Sequence, residues 1–339
     1  MTFTVSISSS GHQFDAEDNE TILDAAIRQG VGLPYGCRNG RCGSCAAELI
    51  SGDVTYYGAP PALEEAGEGK CLPCQGFAAS DLEIAVREAE STADIEVRLI
   101  PCRVHAADHL AHDVVRLLLK LPEGQRLQFR AGQYLDFLLA DGRRRAFSIA
   151  NAPHDDEFIE LHIRHVDGGQ FTDWVFGQMQ EKTILRIQAP LGTFTLDEDS
   201  PRPMIFMGGG TGFAPLKGQI EHAFEVGIDR PMVLYWGVRG RRDLYLGELP
   251  ESWAAEHENF QFVPVLSEPD GDWQGRTGWV HEAVLADFPD LSGHDLYMAG
   301  PPVMVKAALG AFRAAGMPDE HMHYDSFDYA EDSQASSAD

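Results

Sequence analysis

The sequence predicts a multidomain chain: a small α+β domain, an antiparallel β-barrel, and an α/β domain built on a parallel sheet. Three observations carry this. The 339 residues exceed a usual single domain. Short apolar runs broken by Gly, Pro and Asp fill the middle of the chain, the pattern of a small barrel. Towards the C-terminus, buried-type strands alternate with helices, which implies a parallel sheet.

Residues 1–90 form the first predicted domain and open with alternating strands around "FTVSIS". A short helix follows at "ETILDAAIRQG", with Ile22, Leu23, Ala26 and Ile27 at helical spacing and Gly30 as its stop. A cysteine-rich loop comes next, then "CAAELISGDVTYYG" as a hairpin-like pair and "DLEIAVRE" as a closing strand. The small, polar and acidic "EAESTAD" (88–94) reads as a linker. In residues 95–199 the runs "IEVRLIPCRVHAAD", "DVVRLLLKL", "GQYLDFLLADG", "RRAFSIANAP", "FIELHIRHV" and "TILRIQAPLG" predict the barrel strands. Residues 203–327 follow a different pattern. There "PMIFMGGGTG" is a buried strand running into glycines, "PLKGQIEHAFEVG" a helix, and "PMVLYWGV", "FQFVPVLS" and "HDLYMAG" further buried strands. The acidic tail 328–339, "DYAEDSQASSAD", is too polar to pack and is expected to be disordered.

The net charge is −27. Nucleic acid and anionic membranes would repel such a surface, so neither is expected as a partner. Residues 1–90 share the excess, with 14 Asp and Glu against 5 Lys and Arg, without containing all of it. The acidity reads either as a solubility device or as a docking face for a basic partner. No apolar run approaches the roughly 20 residues that span a bilayer. The N-terminus "MTFTVSISSSGHQF" lacks the basic region and apolar stretch of a signal peptide. A cytoplasmic location is therefore expected, where clustered thiols more often bind metal than pair with each other.

The cysteines are spaced Cys37-x4-Cys42-x2-Cys45, with Cys71 and Cys74 later. This is the plant-type pattern for a [2Fe–2S] cluster, which needs four thiolates and a loop whose N–H groups face the sulfides. Gly36, Gly40 and Gly43 permit such a tight loop, and Ser44 is small enough to lie against the cluster. The competing reading pairs Cys42-x2-Cys45 with Cys71-x2-Cys74 as a zinc ribbon. It leaves Cys37 unused and gives no reason for a flanking strand–helix–hairpin fold, so the spacing favours the cluster. Between Cys71 and Cys74 as fourth ligand, the spacing does not choose. Cys102, alone in a strand, reads as a core residue.

Two further motifs lie downstream. "RRRAFSIANAP" (143–153) is, alone, an ordinary strand with a basic lead-in. "MIFMGGGTGFAPL" (204–216) is strand, glycine turn and helix, where close backbone approach and a helix N-terminus suit a diphosphate. It is not the Rossmann G-x-G-x-x-G. The pair His162 and His165, in "LHIRHV", would point to opposite faces of a strand, which argues against a metal site there. His105, His109, His112, His321 and His323 are discounted as ligands as well.

In combination these segments resemble the ferredoxin–NADP reductase superfamily across residues 97–327, preceded by a plant-type, β-grasp ferredoxin-like domain. The whole is similar to ferredoxin-fused bacterial reductases of multicomponent oxygenases, of phenol and terephthalate type. It is similar above all to CDP-6-deoxy-3,4-glucoseen reductases, which feed a deoxysugar dehydrase. The resemblance implies that Cys74, ahead of "QGFAASDLEI", is the fourth ligand with Cys37, Cys42 and Cys45, and that Cys71 is a spare thiol. It implies FAD held by Arg145 at the diphosphate, Phe147 on the ring and Ser148 near the nitrogen that accepts hydride, with Ile149 beside them. His162, Ile163 and Arg164 would line the flavin, while Gly169 and Thr172 would meet phosphate at a helix start. Gly208, Gly209, Gly210 and Gly212 would cradle the pyridine nucleotide, with Thr211 and Pro215 beside the nicotinamide. "DLYMAGPPVM" adds Gly300 and Pro301, and places Ala299 where many members carry cysteine. In the C-terminal "HYDSF", Phe327, or Tyr324 in its stead, would stack over the flavin; a packed terminal strand is the competing reading.

The functional logic follows from electron counting. Nicotinamide gives up two electrons as a hydride, a [2Fe–2S] cluster takes one, and flavin can do both. The expected activity is an NADH-dependent oxidoreductase that passes electrons through FAD and the cluster to a partner protein, an oxygenase or dehydrase component docking near the cluster. Arg239, Arg241 and Arg242 in "RGRRDLY" could hold a 2′-phosphate, but the segment is similar to that of NADH-using reductases, so NADH is preferred over NADPH. Two other classes of function remain open: a free-flavin or quinone reductase, and a redox sensor without turnover.

Overall fold

The computed structural model describes residues 2–88 and 95–327. The expected linker beyond Glu88 and the expected tail lie outside them. The chain divides into two compact units, one of residues up to Glu96 with Gly192–Phe194, the other of Val97–Leu191 with residues from Thr195 on.

The first unit contains β1 (Thr2–Ile7), β2 (Gln13–Glu17), α1 (Ile22–Arg28), β3 (Ala47–Ser51), β4 (Val54–Thr55), α2 (Pro61–Ala66), β5 (Lys70–Cys71), β6 (Phe77–Ala78) and β7 (Leu82–Ala85). Its main sheet runs β2-β1-β7-β3-β5, with β1 and β7 parallel at the centre. Thr21 caps α1 by accepting from the Asp24 N–H at 3.1 Å. Gly30, at φ +73°, ends the turn that follows. The helix buries Ile22, Leu23, Ala25 and Ala26; Ile27, expected on that face, is only half-buried.

Residues 45–58 do not form the expected hairpin-like pair. β3 pairs with β7 and β5, whereas β4 pairs with β6 in a separate two-stranded ladder. The reason lies in the intervening turn. Gly52, at φ +93°, lies so close to the start of β7 that an added Cβ would meet the Leu82 side chain at 2.8 Å. The Asp53 N–H donates to Ser80 Oγ at 2.9 Å and its carbonyl accepts from Ala79. The buried Leu82 and Ile84 of β7 thus take the place beside β3, and the chain is led away.

The second unit begins with β8 (Arg98–Ala111), β9 (Val114–Lys120), β10 (Tyr134–Leu138), β11 (Arg144–Ser148), β12 (Ile159–Arg164), α3 (Gln170–Gly177) and β13 (Ile184–Leu191). The six strands are antiparallel in the order β11-β10-β13-β8-β9-β12. A bridge between Ile149 and Leu161 joins the two ends into a barrel. Alternate residues fill it, Cys102 among them at 2% exposure.

The rest contains β14 (Met204–Gly209), α4 (Phe213–Glu225), β15 (Met232–Val238), α5 (Glu248–Glu256), β16 (Phe260–Leu266), β17 (Arg276–Thr277), α6 (Val280–Asp287), β18 (Asp295–Gly300), α7 (Pro302–Ala314) and β19 (Met322–Ser326). All its strands are parallel, ordered β17-β16-β15-β14-β18-β19. β14 and β18 are buried at every residue, as strands covered by helices on both faces must be. Strand order reverses between β14 and β18, so the crevice beyond their carboxyl ends is the expected ligand position of such a sheet.

Candidate functional site

The glycine turn lies in that crevice. β14 ends at Gly209, and Gly210–Gly212 make one 3-10 turn that leads into α4. Two glycines here answer to contact: a Cβ on Gly212 would clash with the Ala299 carbonyl, and one on Gly300 would lie 3.0 Å from Gly209 N. Gly210 alone of the turn needs positive φ, at +54°. Its carbonyl accepts from the buried Trp236 Nε1 at 2.9 Å, so the turn is fixed from below. Thr211 is half-buried at its centre. Pro215 lies in the first turn of α4, where a missing N–H costs nothing, and Pro301 caps α7.

The flavin motif occupies β11. Ser148 is buried and its Oγ lies 3.4 Å from Asp325 Oδ2 of β19. Two residues later the Phe327 N–H donates to the Gly300 carbonyl at 2.9 Å. The structure therefore brings Ser148, Gly300 and Phe327 to one place, while Tyr324 packs against the core of the parallel sheet. Arg145 is half-buried, with Nη1 donating to the Arg144 carbonyl at 2.8 Å. Phe147 packs at the barrel with Phe171 and Phe137, centroids 5.6 and 5.8 Å away. Ile149 and Ile163 are core residues, so only their backbone can reach a ligand. Gly169 is the N-cap of α3, and the Thr172 hydroxyl donates back to the Val166 and Gly169 carbonyls, leaving the helix N–H groups to any anion.

His162 lines no opening. Its side chain is wholly buried, with Nε2 2.8 Å from Glu160 Oε1 and Nδ1 3.0 Å from Tyr245 Oη. Burial, first, pushes its imidazole below the usual range. The Glu160 pKa is lowered too, which keeps its charge where burial neutralises His162. Burial opposes its charge, yet the His162 hydrogen bond and the Lys217 ammonium hold it down at about 2. Lys217 Nζ lies 3.5 Å from Glu160, 2.9 Å from Glu221 and 3.3 Å from the Ala150 carbonyl, next to the flavin motif. Sequence reasoning missed Lys217, Glu160, Tyr245, Trp236 and Asp325 as site residues. The available signal was a lysine among the buried residues that open α4. Among the described residues, His112, Asp113 and Asp243 bring possible ligand atoms within 4.8 Å of one another. Asp113 is already engaged by Arg164 Nε at 3.1 Å, and Asp243 by the Gly240 N–H at 2.9 Å.

In the first unit, Arg38, Gly40 and Gly43 adopt positive φ, which curls residues 36–45 into a tight loop. The Cys37 N–H donates to Cys42 Sγ at 3.5 Å and the Cys42 N–H to Cys37 Sγ at 3.4 Å, while Cys45 and Cys74 sulfurs lie 3.2 Å apart. Within each pair one thiol is eased towards thiolate by its neighbour. Cys42 brings Cys37 to about 7, and Cys74 lowers Cys45. Ser44 Oγ is buried without a hydrogen-bond partner. Four gathered sulfurs, inward N–H groups and a small unsatisfied hydroxyl fit a cluster of iron and sulfide. Cys71, buried in β5 opposite Ala47, is a different case: burial pushes its thiol up to about 12.

The fold and these sites define an iron–sulfur flavoprotein oxidoreductase. Comparison with known proteins agrees. Residues 5–79 match the 2Fe-2S iron-sulfur cluster binding domain, 101–196 the oxidoreductase FAD-binding domain, and 206–309 the oxidoreductase NAD-binding domain. The chain is 38% identical over 328 residues to the CDP-6-deoxy-L-threo-D-glycero-4-hexulose-3-dehydrase reductase of Yersinia pestis, covering 96% of this chain and 99% of that one. It is 32% identical over 329 residues to the terephthalate 1,2-dioxygenase reductase component 1 of Comamonas, covering 96% and 98%. Among solved structures, a cytochrome P450 reductase of Amycolatopsis superposes with a TM-score of 0.81 at 36% identity, covering 96% and 99%. The chain belongs to this family of ferredoxin-containing reductases, and its cofactors are a [2Fe–2S] cluster, FAD and NAD(P)H. No helix among the described residues is long and apolar enough to cross a membrane.

Proposed function

We propose that this reductase takes a hydride from NADH and delivers single electrons, through FAD and a cluster on Cys37, Cys42, Cys45 and Cys74, to a cytoplasmic protein acceptor. The acceptor is an oxygenase or deoxysugar dehydrase component. The observation that carries the reading is the meeting of Ser148, from the flavin motif, with Asp325, beside the Gly300 end of the nucleotide crevice. Bound flavin supplies the conversion of one hydride into two one-electron transfers. The chain's own residues do the rest. Arg145 and the α3 N-terminus would hold the flavin diphosphate. Thr211, Pro215, Gly300 and Pro301 would place the nicotinamide, and Phe327 would stack at the flavin. The three domains are assigned to residues 1–90, 95–199 and 203–327.

NADH rather than NADPH is favoured by the carboxylates around the arginine segment that follows β15, where Arg239 would hold the adenosine side. Arg241 lies 3.7 Å from Asp272 and 5.3 Å from the Trp273 ring centre, and Arg242 lies 3.8 Å from Asp243. These acids offset the arginines and oppose a 2′-phosphate.

The test compares Cys74→Ser and Cys71→Ser in the full chain. Cys74→Ser is expected to lose the cluster and cytochrome c reduction while keeping NADH–ferricyanide activity, because a small acceptor can collect electrons from the flavin. Cys71→Ser is expected to keep both. Undiminished cytochrome c reduction without a cluster would show that the cluster is not the exit.

A further inference from the structure

One face of one strand carries more than flavin packing requires. In β12, Leu161 and Ile163 point into the barrel core, so alternation turns Glu160, His162 and Arg164 the other way. Each of the three meets a different piece of the nucleotide-binding half. Glu160 takes Lys217 of α4 at 3.5 Å. His162 takes Tyr245 at 3.0 Å, just beyond the arginine segment. The Arg164 guanidinium lies against Gly210 and is paired with Asp113. We propose that this outward row sets the nucleotide site in register with the flavin strand, with His162 and Tyr245 as positioning residues for hydride transfer. This rests on the reading of the FAD and nucleotide sites given above.

The chemistry of the link supports a positioning role. Glu160 is ionised at neutral pH and can only accept, so His162 Nε2 carries the proton. Nδ1 is then an acceptor, and the Tyr245 hydroxyl must donate to it. Both partners are buried, His162 at 4% and Tyr245 at 7% exposure, so neither can exchange this bond for water. The contacts also form a ring. Tyr245 packs edge-on against Trp236 at 5.1 Å, and Trp236 holds the Gly210 carbonyl. Tyr245, just beyond the arginine segment, and the glycine turn are thus both referenced to β12.

The experiment uses the full-length, cofactor-loaded protein with Tyr245→Phe, His162→Gln and the double variant. Tyr245→Phe removes one oxygen and leaves the ring packing. FAD and iron content are expected to be unchanged. Flavin reduction at saturating NADH is expected to slow by about fivefold or more, with a larger isotope effect for NADH deuterated at the transferred position and KM changed by less than about twofold. Amide exchange in residues 239–247 is expected to quicken by about threefold, with that of residues 2–88 unchanged. His162→Gln should match it, and the double variant should be no worse than either, because all cut the same link. Wild-type rates in Tyr245→Phe, a loss accounted for by lost FAD, or multiplying losses in the double variant would each overturn the proposal. Failure of the underlying reading would appear elsewhere, as unmodified protein that is not reduced by NADH.

Discussion

Gly212→Ala should separate nucleotide-dependent chemistry from cofactor binding. Gly212 has an ordinary helical backbone, φ −57° and ψ −15°, which alanine can adopt without strain. Contact decides against alanine. The new Cβ would fall inside the 3.0 Å limit to the Ala299 carbonyl oxygen by more than 1 Å, and would lie 2.9 Å from Gly300 N. β18 cannot retreat, since all six of its residues are buried and it is hydrogen-bonded to β14 on one side and β19 on the other. The glycine turn must therefore move by roughly 1 Å, and a misplacement of that size costs about a hundredfold in rate. Overpacking of this kind also costs about 1–3 kcal/mol of stability. In the assay, FAD and cluster are quantified from the visible spectrum, dithionite reduces both as a control, and NADH–ferricyanide turnover is measured at saturation. Gly227→Ala is the comparison: it has φ +73° but nothing within 4 Å, and should cost only about 1 kcal/mol with full activity. Turnover in Gly212→Ala within about threefold of the parent would refute the contact argument.

Two further outcomes are expected. Asp272→Asn should raise kcat/KM for NADPH by about fivefold and leave that for NADH nearly unchanged, because one exposed carboxylate near the arginines is worth about 1 kcal/mol against a 2′-phosphate. A parent enzyme that prefers NADPH by about tenfold, or 1.4 kcal/mol, would contradict the NADH assignment. The second concerns pH. Burial lowers the His162 pKa in the folded state, so below about 6.5 the unfolded chain binds a proton that the folded one refuses. Stability should fall as pH drops from 7.5 to 5.5, and His162→Gln should flatten that fall. Equal slopes of urea midpoint against pH for parent and variant would rule this out.

The local features of this protein were legible because they are written in neighbouring residues. Six barrel strands, the buried strands of the parallel sheet and the glycine turn each have a short-range pattern of period or composition. The spacing of Cys37, Cys42 and Cys45 belongs to a single loop, so the cluster chemistry could be read before any fold was known. The choice between Cys71 and Cys74 could not, because it depends on which sulfur the turn after β5 carries to Cys45. Tertiary structure sets that distance, at 3.2 Å for Cys74. The same holds for β4, which left β3 because β7, more than 25 residues on, offered buried Leu82 and Ile84 as a better neighbour. His162 shows the limit most plainly. Its strand, its face and its neighbour Glu160 two residues back follow from alternation, but its other partner is Tyr245, 83 residues on. Only packing of α4 and the arginine segment onto β12 turned a flavin-lining candidate into an enclosed link. Periodicity determines which way a side chain points; what it meets there is decided by chain segments far away in sequence, brought together by the burial of the whole.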